Sequence, residues 1–199
     1  MSQALNRSVL VDMIGYNEGA ILRIKQAVLV VAGILALAVS AKIQLPMWPV
    51  PMTMGTLAVL TIGAAYGPRL GLTTIIGYMI VGMLGFDVFA SSTAENNGWA
   101  YMIGGTGGYL FGYVLATLAL GFAARKGWDR NPVLLTAALL AGNVLIYVPG
   151  LFWLGQLYGW DQPILQWGLE PFWIGDLVKL GMAALILPAI WSIIGNARQ

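Results

Sequence analysis

From about residue 26 onward the chain alternates between long apolar runs and short clusters of turn-forming or charged residues. The runs predict six membrane-length helices over 26–45, 53–67, 70–89, 103–124, 133–157 and 172–194, the second noticeably short. The clusters between them are "PMWPVP" at 46–51, "GPR" at 67–69, "SSTAENNGW" at 91–99, "RKGWDRNP" at 125–132 and "YGWDQPILQWGLEP" at 158–171. This pattern predicts an all-α integral membrane protein, a six-transmembrane-helix bundle forming one domain over 26–199. Residues 1–25 read as a separate cytoplasmic or interfacial segment. Its apolar positions Leu5, Val9, Leu10 and Met13 recur at roughly helical spacing, which suits a short interfacial helix or a plain tail. The segment lacks the basic start, apolar block and small-residue cleavage site of a secretory signal, so it is expected to be retained.

Composition narrows the chemistry. Hydrophobic residues make up 59% of the 199 positions and charged residues only 9%, where soluble domains carry about 25%. No cysteine and no histidine is present. Disulfides, thiol nucleophiles, the usual zinc sites, haem attachment and imidazole acid–base catalysis are thereby excluded, and neither a metal nor a cofactor is expected. The formal charge of +2 comes from ten basic and eight acidic residues, with no basic patch interleaved with aromatics to suggest nucleic acid.

The basic residues instead predict topology. Arg7, Arg23, Lys25, Arg69, Arg125, Lys126, Arg130 and Arg198 all fall on one side of the six-helix reading, and Glu95, Asp161 and Glu170 on the other. Cytoplasmic loops retain positive charge, so both termini are expected in the cytoplasm. Two lysines break the rule, Lys42 and Lys179.

Lys179 stands three residues after Asp176, on one helical face and in the outer half of the last helix. A charge well inside a span costs about 2.5–3.5 kcal/mol and normally faces a bundle interior or cavity. A mutual ion pair that locks the helix is one reading. A ligand site is favoured, because two apolar residues would hold the bundle as well without the desolvation cost. An acceptor beside a donor suits a small molecule offering both N–H and C=O, or a carboxylate. Asn143 and Tyr147 share a face of the fifth helix and can line one cavity, although helix-to-helix hydrogen bonding is preferred for Asn143. Trp48, Trp99, Tyr101, Trp153, Trp160, Trp167 and Trp173 suit an outer aromatic belt, from which one or two rings could stack on a ligand.

Small residues mark close helix approaches. Gly104, Gly108 and Gly112 are four apart in "GGTGGYLFG", a spacing that favours packing or a backbone-lined pocket wall over nucleotide binding, since the Lys-Ser/Thr ending of a phosphate loop is missing. Ala32, Ala36 and Ser40 form another ladder, open to internal packing or to a partner helix. An intramembrane enzyme finds little support, because no second membrane carboxylate accompanies Asp176 on a recognisable motif.

Three stretches carry a family resemblance: "IQLPMWPVPMTMGTLAVLTIGAAYGPRLG" at 43–71, "GGTGGYLFGY" at 104–113 and "PFWIGDLVK" at 171–179. In order and spacing they resemble the BioY family, the biotin-binding S components of energy-coupling factor (ECF) vitamin transporters. The resemblance implies a multi-pass protein of the bacterial plasma membrane that captures biotin from outside. A transmembrane T component and two ATPase subunits would energise transport, biotin being substrate and not cofactor, and the chain itself would be no enzyme. It implies that Asp176 accepts from the ureido N–H and Lys179 donates to the ureido C=O. Asn96 would meet the carboxylate tail, with Tyr147, Tyr109 and Gly107 also at the ligand. The loop Leu45–Pro51, with Pro46, Trp48 and Pro49, would act as a lid, and Ala32 and Ala36 would dock on the T component. Leu110 replaces an arginine that some members use for the biotin carboxylate, and Gly55 a common glutamine; Lys42 is then a possible substitute cation. An S component for another vitamin, such as thiamin or riboflavin, is the alternative within the superfamily.

Overall fold

The computed structural model describes residues 8–13, 18–93 and 96–196. Leu5, Arg7, Glu95 and Arg198 lie outside these. Among the described residues, five helices are long and apolar enough to cross a hydrocarbon core. They are α1 (Gly19–Lys42), α2 (Gly55–Met83), α4 (Gly107–Arg125), α5 (Pro132–Tyr158) and α7 (Trp173–Asn196), with short helices α3 (Gly98–Met102) and α6 (Ile164–Gly168) between them. Helix α1 therefore starts seven residues before position 26. A 3₁₀ turn, Leu10–Met13, precedes it.

Helix α2 supplies the second and third spans. Gly67 sits inside it at φ 75°, ψ 177°, followed by Pro68. Glycine alone takes that conformation without strain, and proline needs no hydrogen bond from the preceding turn. The chain reverses there. A Cβ added to Gly71 would lie 3.7 Å from the Cα of Gly63, whereas eight residues of straight helix span about 12 Å. Arms 55–66 and 68–83 thus run antiparallel, as the sequence break at "GPR" predicts, but with no loop between them. Helix α4 closes over the tip, where Gly121 lies so near Pro68 that a Cβ would be 2.4 Å from its nitrogen.

The glycine ladder resolves into helix packing. A Cβ on Gly108 would stand 2.4 Å from the Pro149 carbonyl, and one on Gly112 would stand 2.6 Å from the Ile146 Cα. Helices α4 and α5 approach at backbone distance along this seam, as the small-residue spacing requires. Asn131 begins α5 by accepting from the N–H groups of Val133 (2.9 Å) and Leu134 (3.2 Å), with Pro132 at the first helical position.

The two ends of the bundle differ in charge. Arg130 donates to the Ser8 carbonyl at 3.1 Å, Val9 packs on Gly67, and Trp191 of α7 donates to Asp129 at 2.6 Å. The N-terminal turn, the hairpin tip, the 125–131 break and the end of α7 therefore meet at one end, which carries Arg69, Arg125, Lys126 and Arg130. At the other end a two-stranded ribbon, β1 (Gln44–Leu45) with β2 (Met52–Thr53), pairs Gln44 with Thr53 and Leu45 with Met52. The apolar pattern along 43–53 leaves this ribbon unread, because two-residue strands are too short to show alternation.

Candidate functional site

Asp176 and Lys179 occupy the first two turns of α7 at the ribbon end of the bundle and are 4% and 7% exposed, although each carries a charge. Lys179 Nζ donates to Asp176 Oδ1 at 2.8 Å, to the Thr53 carbonyl at 2.7 Å and to Thr56 Oγ1 at 3.2 Å. Its three protons are all placed. The Tyr147 hydroxyl on α5 donates to Asp176 Oδ2 at 2.5 Å, and Thr56 Oγ1 approaches Oδ1 at 3.4 Å. The pair is thus held by β2, the first arm of α2 and α5 as well as by its own helix. A buried ion pair persists only when such additional bonds satisfy its remaining polar atoms.

The pair forms one wall of a cavity of about 60 Å³. The rest of the lining includes Tyr78, Phe89, Tyr101, Tyr109, Tyr113 and Phe172, with Leu110, Val50 and Pro51. The rings are themselves ordered. Phe89 stacks on Tyr101 at 4.8 Å and meets Tyr78 edge-on at 5.3 Å, while Tyr109 meets Tyr147 edge-on at 6.0 Å. Glycines make room for them: the Phe89 ring lies where a Cβ on Gly82 would be, and the Tyr109 ring covers Gly150. The arrangement is an aromatic slot with one acid and one base at its polar end, able to bind a flat molecule that offers both a donor and an acceptor.

Of the residues singled out from sequence, Asp176, Lys179, Tyr147 and Tyr109 line this cavity. The Tyr109 hydroxyl is already committed to the Gly168 carbonyl at 2.9 Å, which leaves its ring face as the contact. Gly107 does not reach the cavity wall; it begins α4 against Met102 and Trp153. Asn96 lies in an exposed turn closed by its N–H on Thr93 Oγ1 at 3.1 Å. Pro46 and Trp48 project outward from the ribbon loop, Trp48 touching Tyr158 and Trp167, while Pro49 is half-buried. Lys42 points to the loop that carries Asp87 and Ser92, pairing with Asp87 at 2.5 Å and donating to Ser92. Those two partners hold the Asp87 carboxyl below its ordinary range. Ala32 and Ala36 are exposed on α1, whereas Gly33 and Leu37 of the same helix face the bundle.

Several cavity residues escape a reading of the sequence. Tyr113 follows Tyr109 by four and shares its face, a signal that was present. Thr53 and Thr56 carry none, since threonine at the start of an apolar run is unremarkable. Asn143 is buried, and its Oδ1 has no hydrogen-bond partner among the described residues, so that atom does not make the helix-to-helix bond preferred for the residue. Gly55 is explained by its neighbour: a Cβ there would lie 3.1 Å from the Tyr113 hydroxyl, so a longer side chain and Tyr113 compete for one space.

Comparison with known proteins follows the same outline. The BioY family model matches residues 12–196. A probable biotin transporter BioY of Pyrococcus horikoshii is 32% identical over 165 residues, covering 83% of this chain and 95% of that protein. The biotin transporter BioY of Thermotoga maritima is 33% identical over 160 residues, with 79% and 92% covered. The crystal structure of the S-component for biotin from an ECF-type ABC transporter superposes with a TM-score of 0.74 at 19% identity, covering 88% of this chain and 95% of that one. That likeness is one of fold.

Proposed function

The chain belongs to the BioY family, and on that premise we propose that it is a biotin-capturing S component of an ECF-type transporter in the bacterial plasma membrane, with its ribbon end facing outward. The observation that carries the reading is the buried Asp176–Lys179 pair at the polar end of an aromatic slot. Biotin's ureido ring offers two N–H donors and one C=O acceptor. Asp176 accepts from the N–H groups, since a carboxylate has about four acceptor positions and only part of them are taken. Lys179 donates to the C=O by exchanging one of its three present acceptors. The bicyclic ring lies against Tyr147, Tyr109 and Phe172.

The carboxylate end of biotin meets no second cation among the described lining residues. It is assigned to the side of Tyr101 and Thr106, next to the turn that carries Asn96, where neutral donors and water can satisfy it. The lid is assigned to the ribbon and its loop, including Pro46, Trp48 and Pro49, because Val50, Pro51 and Thr53 roof the cavity. A cavity of about 60 Å³ falls short of the roughly 300 Å³ or more that a vitamin-sized ligand needs. The roof therefore moves outward when ligand is admitted. Energy would come from a T component docked on the exposed Ala32 and Ala36 of α1 and from two ATPase subunits. The basic end, with both termini, faces the cytoplasm in this arrangement.

The test is a thermal-shift titration of the purified chain with biotin, thiamin and riboflavin, followed by uptake measured with and without the T and ATPase subunits. Stabilisation by biotin alone at micromolar concentration is expected. Stabilisation by thiamin or riboflavin instead would reassign the substrate.

A further inference from the structure

A second cavity, of about 340 Å³, opens at the basic end between α1 and the α2 hairpin, and no part of biotin capture uses it. Helix α1 contributes Leu22, Lys25, Gln26 and Leu29, spaced so that all four share one face. The returning arm of α2 contributes Arg69, Leu70 and Thr73. Arg125, at the end of α4, reaches over the hairpin tip, its Nε 3.8 Å from where a Cβ on Gly67 would be. Val9, with Val11 and Asp12 of the 3₁₀ turn, lines the cavity, as does Tyr66, which donates to the Leu29 carbonyl at 3.0 Å.

Among the described residues, three cations and one carboxylate, Asp12, line the cavity, and Asp12 Oδ2 accepts from the Val9 N–H at 3.0 Å. Arg69 and Arg125 leave the described lining with an excess of positive charge at the depth of the first two turns of α1, and Leu22, Leu29 and Leu70 line the same cavity. A polar, cationic cavity with apolar sides at that depth suits a phosphate group attached to acyl chains. We infer that this cavity is a binding site for the phosphodiester headgroup of an anionic membrane lipid, with Arg69 and Arg125 on the phosphate and Gln26 and Thr73 on the rest of the headgroup. The lipid would bridge α1 to the hairpin, two elements that also meet through the Tyr66–Leu29 hydrogen bond and the close approaches of Gly33 to Thr74 and of Gly77 to Ile34. The inference rests on the chain spanning a bilayer and is independent of what the outer cavity binds.

Native mass spectrometry of the detergent-purified chain, titrated with phosphatidylglycerol or with phosphatidylcholine, tests it. The expected result is one tightly retained phosphatidylglycerol per chain, at least fivefold preferred over phosphatidylcholine, with the preference lost in Arg69→Gln/Arg125→Gln. Lys126→Gln, whose lysine lies outside the cavity, should keep it. Biotin binding to each variant checks that the fold is intact, and where the double variant fails to fold, Arg69→Gln alone is read for a partial loss. Equal retention of both lipids, or an unchanged preference in the arginine variants, would overturn the assignment. Inorganic phosphate supplies the other arm: if it raises the thermal stability of the wild-type chain and anionic lipid does not, the cations serve a soluble phosphate and the lipid assignment fails.

Discussion

Tyr147 and Lys179 share one carboxylate. The tyrosine donates to Asp176 Oδ2 from α5 at 2.5 Å and the lysine to Oδ1 from α7 at 2.8 Å. Asp176 is thereby fixed from two helices before any ligand arrives, so its orientation is set by the fold and not by the substrate.

Replacing either member of the pair should abolish tight biotin binding. Asp176→Asn keeps the shape but offers the ureido ring an amide, and Lys179→Ala leaves a buried carboxylate without its cation. Losing one partner of a buried, hydrogen-bonded charge pair costs about 2–5 kcal/mol, a fall in affinity of roughly 30-fold or more. Isothermal titration of variants shown to be folded by circular dichroism measures it; two unchanged dissociation constants would remove these residues from the site.

Tyr147→Phe deletes one donor to a buried carboxylate and little else. A hydrogen bond to a charged group is worth about 1.5–3 kcal/mol, so the ligand-free variant should lose a few degrees of melting temperature. An unaltered melting curve would mean that Asp176 Oδ2 finds another donor.

Lys42→Ala should leave biotin affinity within about twofold. Lys42 is engaged with Asp87 and Ser92 in an exposed cluster, and exposed ion pairs contribute about 0–1 kcal/mol. A tenfold loss on titration would instead make Lys42 the cation for the biotin carboxylate.

The α4–α5 seam should be intolerant of one methyl group. Gly112→Ala places a Cβ 2.6 Å from the Ile146 Cα, and forcing extra volume into a packed seam costs about 1–3 kcal/mol. Gly181→Ala meets nothing within 4 Å and should be neutral or slightly stabilising. The contrast in melting temperature between the two is the readout, and equal behaviour would refute backbone-level packing.

Asp129 should make stability fall as pH rises. Burial pushes its pKa up to about 6, against smaller opposing effects of Trp191 and Arg130. The folded chain therefore holds a proton that the unfolded chain has released between about pH 4 and pH 6, and stability drops across that window by roughly 2–3 kcal/mol. Asp129→Asn should flatten the dependence and raise the melting temperature at pH 7.5. A profile as steep as that of the parent chain would assign the slope elsewhere.

The sequence made the spans, the reversal at "GPR" and the Asp176–Lys179 pair readable for one reason: each violates or interrupts an apolar run, and hydrocarbon penalises such interruptions heavily. What it concealed obeys the same logic in reverse. Thr53, Thr56 and Tyr113 break no pattern, so nothing in one dimension separates them from packing residues. The family resemblance puts Gly107 at the ligand, yet it packs against Met102 and Trp153, and the constraint on Gly108 and Gly112 is the neighbouring backbone of α5, which spacing along one helix can suggest but not locate. Lys42 breaks the charge rule along the chain, and the partner that accounts for it lies 45 residues away.

The small volume of the outer cavity has a kinetic meaning. If a vitamin must wait for the roof at 50–53 to lift, association runs below the encounter rate, and the same roof, once shut, sets how rarely the ligand escapes. Scarce substrate would then be held by a long residence time, and the delivery step would lie in whatever forces the roof's closure to be undone from the opposite face of the membrane.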